Sequence, residues 1–509
     1  MKKLMSNLLL AAISGILMLL AFPPFNYSVF AWVCLIPLFF LMRRLQNYKQ
    51  AFLYGYLAGL VFFSGLIWWL VNVSILATVS LIIYFSLYFG IFALAAAFVF
   101  KKNVEPLVLG FIWVVLEYIR MYALTGFPWG YLGYTQYENV RLIQIADITG
   151  FYGISFMIAV FNVALFNSFT RGKRAVSHMM MGLLLIVFAI MYSEHCFSSD
   201  TLRGVAKLSV IQGNIPSECK FDEKYSAQNF ETYKNLTLEA VKQKPDMIVW
   251  PETSYPYTVS SAYEPADIKD LVGAGGIPLV FGAIYLKDGA YFNSALFDSP
   301  AKGIADVYSK IHIVPFGEYV PFEKALPFFR GLIDKPMGDI KRGKRYTLFP
   351  LRTNSVFNLG EKGISHVSYF YKFSALICFE DCFPGLVRTF VKGGANFLVN
   401  ITNDSWFGDT PAAEQHLQAT VFRAVENRVS IARAANTGIS CFISPKGVVY
   451  SRVNSFGKDI FVKGVDTQDI EISNRRSFYT ENGDAFVYFS FFLILLVFFV
   501  DLYLLPAKK

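Results

Sequence analysis

Three short segments, far apart in the chain, carry side chains that together are able to perform acyl chemistry. Glu252 lies in Trp-Pro-Glu-Thr, Lys310 in Tyr-Ser-Lys and Cys378 in Ile-Cys-Phe-Glu. A thiol with a nearby base and a nearby cation takes up an acyl group as a thioester and hands it to an acceptor. All three segments lie in a soluble-looking stretch between apolar runs, so the acyl chemistry is expected to act on a lipid.

Each of the three residue types has a chemical role and a structural alternative. A free thiol has a pKa of about 8.5 and is activated by a neighbouring base or cation, so Cys378 is the predicted nucleophile. Glu252 is the predicted general base, and Lys310 the predicted stabiliser of a tetrahedral oxyanion. The alternatives are a core cysteine, a turn-capping carboxylate and a solvated lysine at a strand end.

Composition divides the chain into apolar and ordinary parts. Of its 509 residues 55% are hydrophobic and 16% charged, whereas soluble globular proteins carry about 25% charged residues. The apolar excess lies in residues 1–195 and again near the carboxyl terminus, while 205–475 has an ordinary composition and enough length for a sizeable core. We therefore predict a transmembrane domain of seven helices at 1–195, a catalytic domain at 205–475 and a last transmembrane helix at 484–505.

The apolar residues form eight runs, each long enough to cross a bilayer with roughly 20 residues. The runs are 5–22, 26–42, 51–72, 75–100, 105–124, 149–169, 176–193 and 484–505. A signal peptide is the alternative for the first run, but Phe22-Pro23-Pro24-Phe25 follows it in place of a small-residue cleavage site.

Positive charge predicts the orientation of these runs. With eight spans, almost all flanking basic residues fall on one side, and Arg141 is the exception. They are Lys2, Lys3, Arg43, Arg44, Lys49, Lys101, Lys102, Arg171, Lys173, Arg174, Lys508 and Lys509. The positive-inside rule then places both termini in the cytoplasm and 205–475 outside it. These residues supply much of the net charge of +9, and no basic stripe with interleaved aromatics predicts nucleic-acid binding.

The middle part alternates strand-like and helix-like segments, which predicts a mixed α/β sandwich. Its strand-like runs are 208–211, 247–250, 278–281, 375–378 and 397–401, its helices 224–243 and 411–430, and its hairpin 438–450. Each candidate chemical residue lies at or just after the end of a strand, where α/β sheets commonly place sites.

The cysteines and histidines predict neither a disulfide framework nor a metal site. The cysteines are Cys34, Cys196, Cys219, Cys378, Cys382 and Cys441. Their spacing matches no disulfide or zinc pattern, and the five histidines are scattered. Pairing of Cys378 with Cys382 is the alternative in an oxidising compartment. We expect no metal and no cofactor.

Several motifs of the chain resemble those of a known family. Trp-Pro-Glu, Tyr-x-Lys and Cys-Phe-Glu, in this order, resemble the Glu-Lys-Cys triad of the nitrilase superfamily, as does the segment 403–408. The segments 212–216, 314–321 and 127–129 are similar to those of apolipoprotein N-acyltransferases. The resemblance covers essentially the whole chain. It implies a polytopic helical membrane domain with a periplasmic, nitrilase-like α-β-β-α sandwich.

The resemblance also implies a reaction. An acyl chain passes from a phospholipid, usually phosphatidylethanolamine, to the cysteine. It then passes to the α-amino group of the diacylglyceryl-cysteine of an apolipoprotein, which gives a triacylated lipoprotein and a lysophospholipid. The expected location is the bacterial inner membrane. We expect a monomer, because one chain supplies every catalytic residue.

Further residues follow from the same likeness. Glu318 and Glu380 are implied as supporting acids and Asn293 as an orienting amide, each with a structural alternative. Phe221 stands where relatives tend to have a tryptophan at the substrate mouth, which keeps an aromatic surface but loses an N–H donor. Trp129 lies in an aromatic loop, for which an unspecific anchor at the membrane interface is one alternative. Our hypothesis is that this loop frames an opening for acyl chains.

Two charges inside the fifth apolar run need an explanation. Glu117 and Arg120 stand at helical spacing, and charges at bilayer depth are costly unless they are paired or functional. The expectation is that they pair with each other or face a lipid headgroup.

Two other classes of function remain as alternatives. A membrane-tethered amidohydrolase would use the same triad with water as the acceptor. A non-enzymatic sensor or transporter would leave Cys378 without a role, but the spans lack the paired, Gly/Pro-interrupted pattern of many transporters.

Overall fold

The chain folds into two compact units. A computed structural model describes residues 1–102, 104, 107–170, 173–198, 202–260, 265–315, 317–319, 340–358, 364–473 and 475–500. One unit comprises Met1–Ser199 with Asn482–Lys509, and the other Asp200–Glu481. Several parts of the predicted segments therefore lie outside the described residues, namely 105–106 and 501–505 of two spans and 316 and 320–321 of the 314–321 segment.

Helices make up most of the first unit and cover the sheets of the second. In chain order the α-helices are α1 Lys2–Leu20, α2 Ile36–Arg44, α3 Tyr48–Leu66, α4 Ile75–Lys102, α5 Val108–Tyr122, α6 Ala146–Thr149, α7 Phe151–Ser168, α8 Lys173–Ser198, α9 Ser217–Lys220, α10 Ser226–Val241, α11 Ala266–Gly275, α12 Pro384–Lys392, α13 Ala412–Asn427, α14 Phe478–Asn482 and α15 Ala485–Phe499.

The first unit is helical and strongly apolar. Among the described residues, five helical stretches are long and apolar enough to cross a membrane, and α15 is a shorter apolar helix. The five are Lys2–Leu20, Ile75–Lys102, Val108–Thr125, Phe151–Ser168 and Val176–Ser198. The prediction of an apolar helical domain is confirmed, while the count of eight spans stays a prediction.

The second predicted span is not one helix. Residues 26–42 form a 3-10 helix at Ser28–Trp32 and then enter α2, which has nine residues. Pro37 lies in the first turn of α2, and because proline lacks a backbone N–H, it suits a helix start better than a helix interior. At about 1.5 Å per residue α2 is far shorter than a bilayer core.

The helices α3 and α4 approach each other closely through small residues. A Cβ added at Gly55 would lie 2.2 Å from the Cβ of Ala93, closer than atoms can stand. Apolar helices in lipid associate by such close packing, because burial of apolar surface from water gives no driving force there.

The second unit is built on two sheets. The strands are β1 Leu202–Gln212, β2 Met247–Val249, β3 Val259–Ser260, β4 Leu279–Lys287, β5 Ala290–Ser299, β6 Gly303–Ser309, β7 Phe349–Asn358, β8 Ile364–Ile377, β9 Phe397–Thr402, β10 Ser430–Ala435, β11 Cys441–Ile443, β12 Val449–Arg452 and β13 Gly464–Ser473. One sheet has the order β13-β1-β2-β4-β5-β6, with β3 beside β4, and the other β12-β11-β10-β9-β8-β7.

Strand direction brings the strand ends together. In the first sheet β1, β2 and β4 are parallel, and β6 runs the same way because β5 is antiparallel to both of its neighbours. In the second sheet β8, β9 and β10 are parallel. The backbone N–H of Asn214, just after β1, donates to the carbonyl of Asn436, just after β10, at 2.9 Å. The carboxyl ends of the parallel strands of both sheets therefore lie on the same side of the sandwich. We call this side the carboxyl edge.

Helices cover both outer faces of the sheets. On one side α10 and α11 bury apolar side chains against Trp250 and Phe281 of the first sheet. On the other side α12 and the almost fully buried α13 pack over the second sheet. Between the sheets, the ring of Phe297 lies 5.4 Å from that of Phe373. The predicted α-β-β-α sandwich is confirmed.

Candidate active site

Glu252 follows β2 on a tight loop over β4. The next residue, Thr253, has φ +44°, and a Cβ at Gly282 of β4 would lie 2.4 Å from the Thr253 nitrogen. Only glycine therefore lets the loop pack this closely. The loop buries the Glu252 carboxylate, whose Oε1 accepts hydrogen bonds from Asn293 Nδ2 at 2.7 Å and Lys310 Nζ at 3.2 Å.

Lys310 follows β6 and is buried between two carboxylates. Its Nζ lies 3.2 Å from Glu252 Oε1 and 3.0 Å from Glu318 Oε2. Burial alone would lower the pKa of Lys310, but the charges of Glu318 and Glu252 outweigh it and raise that pKa. The ammonium is thus held charged, and two carboxylates against one ammonium leave the cluster with one excess negative charge for base chemistry.

Asn293 and Glu318 orient this pair. The Asn293 amide nitrogen donates to both Glu252 and Glu318 at 2.7 Å. The other oxygen of Glu318 accepts from the Val314 backbone N–H at 2.7 Å. Within the part of the chain that the structure describes, Asn293 Oδ1 is buried without a hydrogen-bond partner, so one acceptor stays available beside the charged groups.

Cys378 stands at the turn from β8 into a 3-10 helix, Cys378–Cys382. Its φ of +51° lies in the left-handed region that non-glycine residues rarely adopt, and such strain is typical of sharp strand-to-helix turns that present a nucleophile. The residue is half-buried, and its carbonyl accepts from Asn400 Nδ2 at 3.3 Å. Glu252 and Lys310 are close enough for their charges to act on its thiol.

We expect the resting thiol of Cys378 to be protonated. Burial, helped by the Glu252 charge and opposed by Lys310, raises the pKa of Cys378 to about 12. We expect iodoacetamide to modify Cys378 slowly at pH 7 and about tenfold faster per pH unit up to pH 9, because only the thiolate reacts. Peptide mass mapping measures this rate, with half-buried Cys219 as an internal reference. A rate that levels off below pH 8 would instead indicate a preformed thiolate paired with Lys310.

Glu380 joins the strand that carries the nucleophile to the strand that carries the cation. Its Oε2 accepts from the Ile377 N–H at 2.8 Å, and its Oε1 accepts from the Tyr308 hydroxyl at 2.8 Å and the Ile311 N–H at 2.7 Å. Burial raises the pKa of Glu380 to about 7, although these hydrogen bonds act to lower it. Through these contacts Glu380 links the ends of β8 and β6.

Sequence reasoning missed a buried charge network next to Cys378. His416 Nε2 lies 2.8 Å from Asp381 Oδ1 and His416 Nδ1 lies 3.0 Å from Asp404 Oδ1. Arg433 donates to Asp381 at 2.9 Å and also to Asn400, whose amide in turn binds the Cys378 carbonyl. A signal was present, because Arg433 is a charged residue within the otherwise small and apolar strand β10.

The network is an ion-pair cluster in which the positive charges of His416 and Arg433 balance the negative charges of Asp381 and Asp404. Burial opposes charge on His416, but Asp381 outweighs it and raises the pKa of His416 well above its usual range. The pKa of Asp381 falls to about 2, since His416 and Arg433 overcome the effect of burial. Asp381, Cys382 and His416 are near enough to share a metal ion, but hydrogen bonds to protein groups already occupy both His416 nitrogens and both Asp381 oxygens.

The predicted mouth residue Phe221 lies close to the Glu252 loop. Its neighbour Lys220 is buried and donates from Nζ to the Glu252 carbonyl at 2.9 Å. Burial lowers the pKa of Lys220 to about 8, although the nearby negative charge of Glu252 acts to raise it. Phe221 itself is 46% exposed and stacks on Trp406 at 5.7 Å. An aromatic surface therefore stands beside the catalytic cluster.

Trp129 belongs to the first unit, whereas all the other predicted site residues lie in the second. Its ring is buried and lies 5.3 Å from Trp69 and 5.6 Å from Phe127. The aromatic loop that carries Trp129 is thus a packed structure in the first unit.

Glu117 and Arg120 hold this loop, and no ion pair joins them in the described part of the chain. Glu117 Oε1 accepts from the Leu132 N–H at 2.8 Å. Arg120 donates to the Gly130 carbonyl at 3.3 Å, and its guanidinium stands 4.4 Å from the centre of the Tyr131 ring. Of the two expectations for these charges, the direct ion pair is not formed, because the loop backbone and an aromatic ring take that place. Contact with a lipid headgroup stays a prediction.

Comparisons with known proteins match two parts of the chain to two different family models. A family model of the apolipoprotein N-acyltransferase N-terminal domain matches residues 14–164, and the carbon-nitrogen hydrolase model matches residues 207–473. The apolipoprotein N-acyltransferase of Geobacter metallireducens is 35% identical over 94% of this chain and 92% of its own. That of Allorhizobium ampelinum is 31% identical over 88% of each chain. Among solved structures, Nit3 of Saccharomyces cerevisiae is 16% identical, with a TM-score of 0.37 over 54% of this chain and 92% of its own.

Proposed function

The chain belongs to the apolipoprotein N-acyltransferase family, and from this we propose that it moves an acyl chain from a phospholipid, through a thioester on Cys378, to the amino terminus of apolipoproteins. The observation that carries the proposal is the buried group of Glu252, Lys310 and Glu318 at the edge where β8 delivers a strained cysteine. Apolar helices of membrane length in the same chain favour a lipid donor.

The first half-reaction acylates the enzyme. Glu252 takes the thiol proton as Cys378 Sγ attacks the ester carbonyl of the donor, and Lys310 stabilises the oxyanion that forms. The carbon–oxygen ester bond then breaks. Glu252 returns the proton to the departing oxygen, so that lysophospholipid leaves and a thioester remains.

The second half-reaction discharges the thioester. The α-amino group of the acceptor's terminal cysteine attacks the thioester carbonyl, again with the oxyanion beside Lys310. A carbon–nitrogen bond forms and the carbon–sulfur bond breaks, while Glu252 passes the amine proton to the departing sulfur. The free thiol returns, and because a thioester is more reactive towards amines than an oxygen ester, the sulfur relay makes amide formation efficient.

The proposal also covers the substrates, the oligomeric state, the membrane topology and the supporting residues. Phosphatidylethanolamine is the donor, a diacylglyceryl apolipoprotein the acceptor, and the protein is a monomer in the bacterial inner membrane. Both termini are cytoplasmic, 205–475 is periplasmic, and eight spans hold it. Asn293 and Glu318 orient the catalytic pair, Glu380 positions Cys378, and the exposed ring of Phe221 contacts the substrate. The loop that carries the buried Trp129 frames an opening for acyl chains.

Intact-protein mass spectrometry tests the relay. The purified protein is incubated with phosphatidylethanolamine in nanodiscs and then mixed with a diacylglyceryl-cysteinyl peptide. We expect an added acyl mass that hydroxylamine removes and that the peptide discharges to give an N-acyl peptide. A peptide with an acetylated amino terminus is the matched control and should leave the acyl mass in place.

A hydrolase is the second candidate, because the carbon-nitrogen hydrolase model matches the catalytic unit. It predicts that water discharges the acyl mass at the same rate with and without the peptide. The matched residues 14–164 of the first unit favour transfer over hydrolysis. Absence of any acyl adduct with every phospholipid tested would refute both candidates.

A further inference from the structure

A tight turn after β12 presents one phenylalanine to the exterior. Ser455 and Lys458 exchange two backbone hydrogen bonds, of 2.9 and 3.1 Å, and the two residues between them, Phe456 and Gly457, have φ of +52° and +82°. These are the features of a type I′ turn, whose first central position favours asparagine, aspartate or glycine. The phenylalanine is therefore a poor choice for the turn itself.

The fold does not use the Phe456 side chain either. It is 105% exposed, so its ring buries no surface against the rest of the chain. The turn is held by other groups, since Asn454 Oδ1 accepts from the Gly457 N–H at 3.1 Å. The positive φ of Phe456 is a strain that packing within the chain does not offset, and backbone strain of this kind commonly marks a functional contact.

The turn projects from the carboxyl edge. Because β12 is antiparallel to β11, and β11 to β10, β12 runs in the same direction as β8 and β10. Its end thus lies on the side of the sheet where Cys378 follows β8. The segment is tied there, since the Phe461 N–H donates to the Thr437 carbonyl at 2.7 Å and Asn214 Nδ2 donates to the Phe461 carbonyl at 3.0 Å.

The chemistry around the turn is that of a lipid interface. Phe221 and Phe461 are further exposed aromatic residues on the carboxyl edge. Lys458, next to the turn, is exposed, whereas nearby Arg452 is bound by Glu414 and Asp459. Exposed aromatic rings with a neighbouring lysine suit the boundary between acyl chains and anionic headgroups.

We propose that the Phe456 turn inserts into the headgroup region of a phospholipid bilayer and holds the carboxyl edge at the lipid surface. The occupant is a bilayer because the same chain carries helices of membrane length and because an exposed lysine, Lys458, ends the same turn. This inference rests on the proposed function in one respect, since it explains how a donor embedded in lipid comes to Cys378.

Photo-crosslinking in nanodiscs tests the contact directly. Phe456→p-benzoylphenylalanine is placed in the full chain, in nanodiscs of phosphatidylethanolamine and phosphatidylglycerol, and irradiated. Phe370 of β8 is the matched control, since it is 72% exposed but lies about 26 Å back along the strand from Cys378. We expect a phospholipid adduct at 456 and none at 370. No adduct, or adducts only with an acceptor lipopeptide or a second copy of the chain, would overturn the proposal.

A second variant keeps the test independent of folding. Phe456→Asn places a favoured residue in the turn, so the melting temperature should not fall. We expect KM for phospholipid in vesicles to rise about tenfold, because the buried phenyl group is lost. Acylation of Cys378 by a soluble short-chain nitrophenyl ester should stay unchanged. An unaltered KM for vesicles would contradict the contact.

The two proposals fail in different ways. If the unmodified protein forms no thioester with the soluble ester, the proposed function fails while a lipid adduct at 456 still stands. If the thioester forms normally but 456 yields no lipid adduct, the membrane contact alone is refuted.

Discussion

Cys378→Ser should abolish acyl transfer, with a loss on the order of 10³-fold or more. A hydroxyl loses its proton far less readily than a thiol, and an ester on serine is less reactive towards an amine than a thioester. The substitution keeps the size of the side chain and a backbone whose φ is +51°, so the loss should be chemical and not structural. The variant should therefore melt at the temperature of the unmodified protein.

The measurement is the rate of N-acyl peptide formation together with the intact mass of the enzyme after exposure to phospholipid. Cys382→Ser is the matched control. Cys382 lies four residues away in the same 3-10 helix, but it is fully buried and its Sγ donates to Asp381 Oδ1. Burial raises the pKa of Cys382 to about 11. A hydroxylamine-labile acyl mass that persists in Cys378→Ser and disappears in Cys382→Ser would assign the thioester to the other cysteine.

Glu252→Gln should slow both half-reactions by about 10²- to 10⁴-fold, the usual range for loss of a general base. The bonds from Asn293 and Lys310 both go to Glu252 Oε1. A glutamine oxygen at that position accepts the same two bonds, so the cluster keeps its geometry. What is lost is the ability to take a proton from the thiol or the amine. The variant should therefore still bind phospholipid with an unchanged KM.

Rapid-quench mass spectrometry resolves acylation from discharge in this variant. Asp267→Asn is the matched control. Asp267 accepts a hydrogen bond from the hydroxyl of Tyr255, which lies three residues beyond Glu252. This variant should leave both rates unchanged. If Glu252→Gln retains rates within about threefold of the unmodified protein, another group moves the proton. In that case the role of Glu252 reduces to holding Lys310.

The residue types and their order were enough to predict the candidate site. Glu252 follows the predicted strand 247–250 and Cys378 ends the predicted strand 375–378. In the structure Lys310 follows β6, and the ends of β2, β6 and β8 lie at one edge. The likeness to a known family pointed to Asn293, Glu318 and Glu380 as well. The structure adds the contacts of the last three, which hold Lys310 and the ends of β6 and β8 in place.

In the apolar helical unit, local sequence predicted the details of the structure less well. Apolar runs predicted the long helices α1, α4, α7 and α8, because burial of apolar side chains needs only composition and length. The 3-10 helices at Ser28–Trp32 and Trp68–Asn72 interrupt two of the predicted runs, and composition and length do not predict such breaks. Glu117 and Arg120 also bind backbone groups of a loop 10 to 15 residues further along the chain, although Trp113 in the same helix donates to Glu117 as well.

By itself the sequence determined the division into an apolar helical part and an α/β part, and it pointed to the residues proposed to carry the chemistry. Both follow from composition, strand and helix periodicity and short motifs, which are local properties of the chain. Only the tertiary structure decided the Asp381–His416–Arg433 network and the exposure of Phe456 on the carboxyl edge. The side chains of that network come from three separate elements, and one-dimensional spacing does not specify which buried charges meet when those elements pack together.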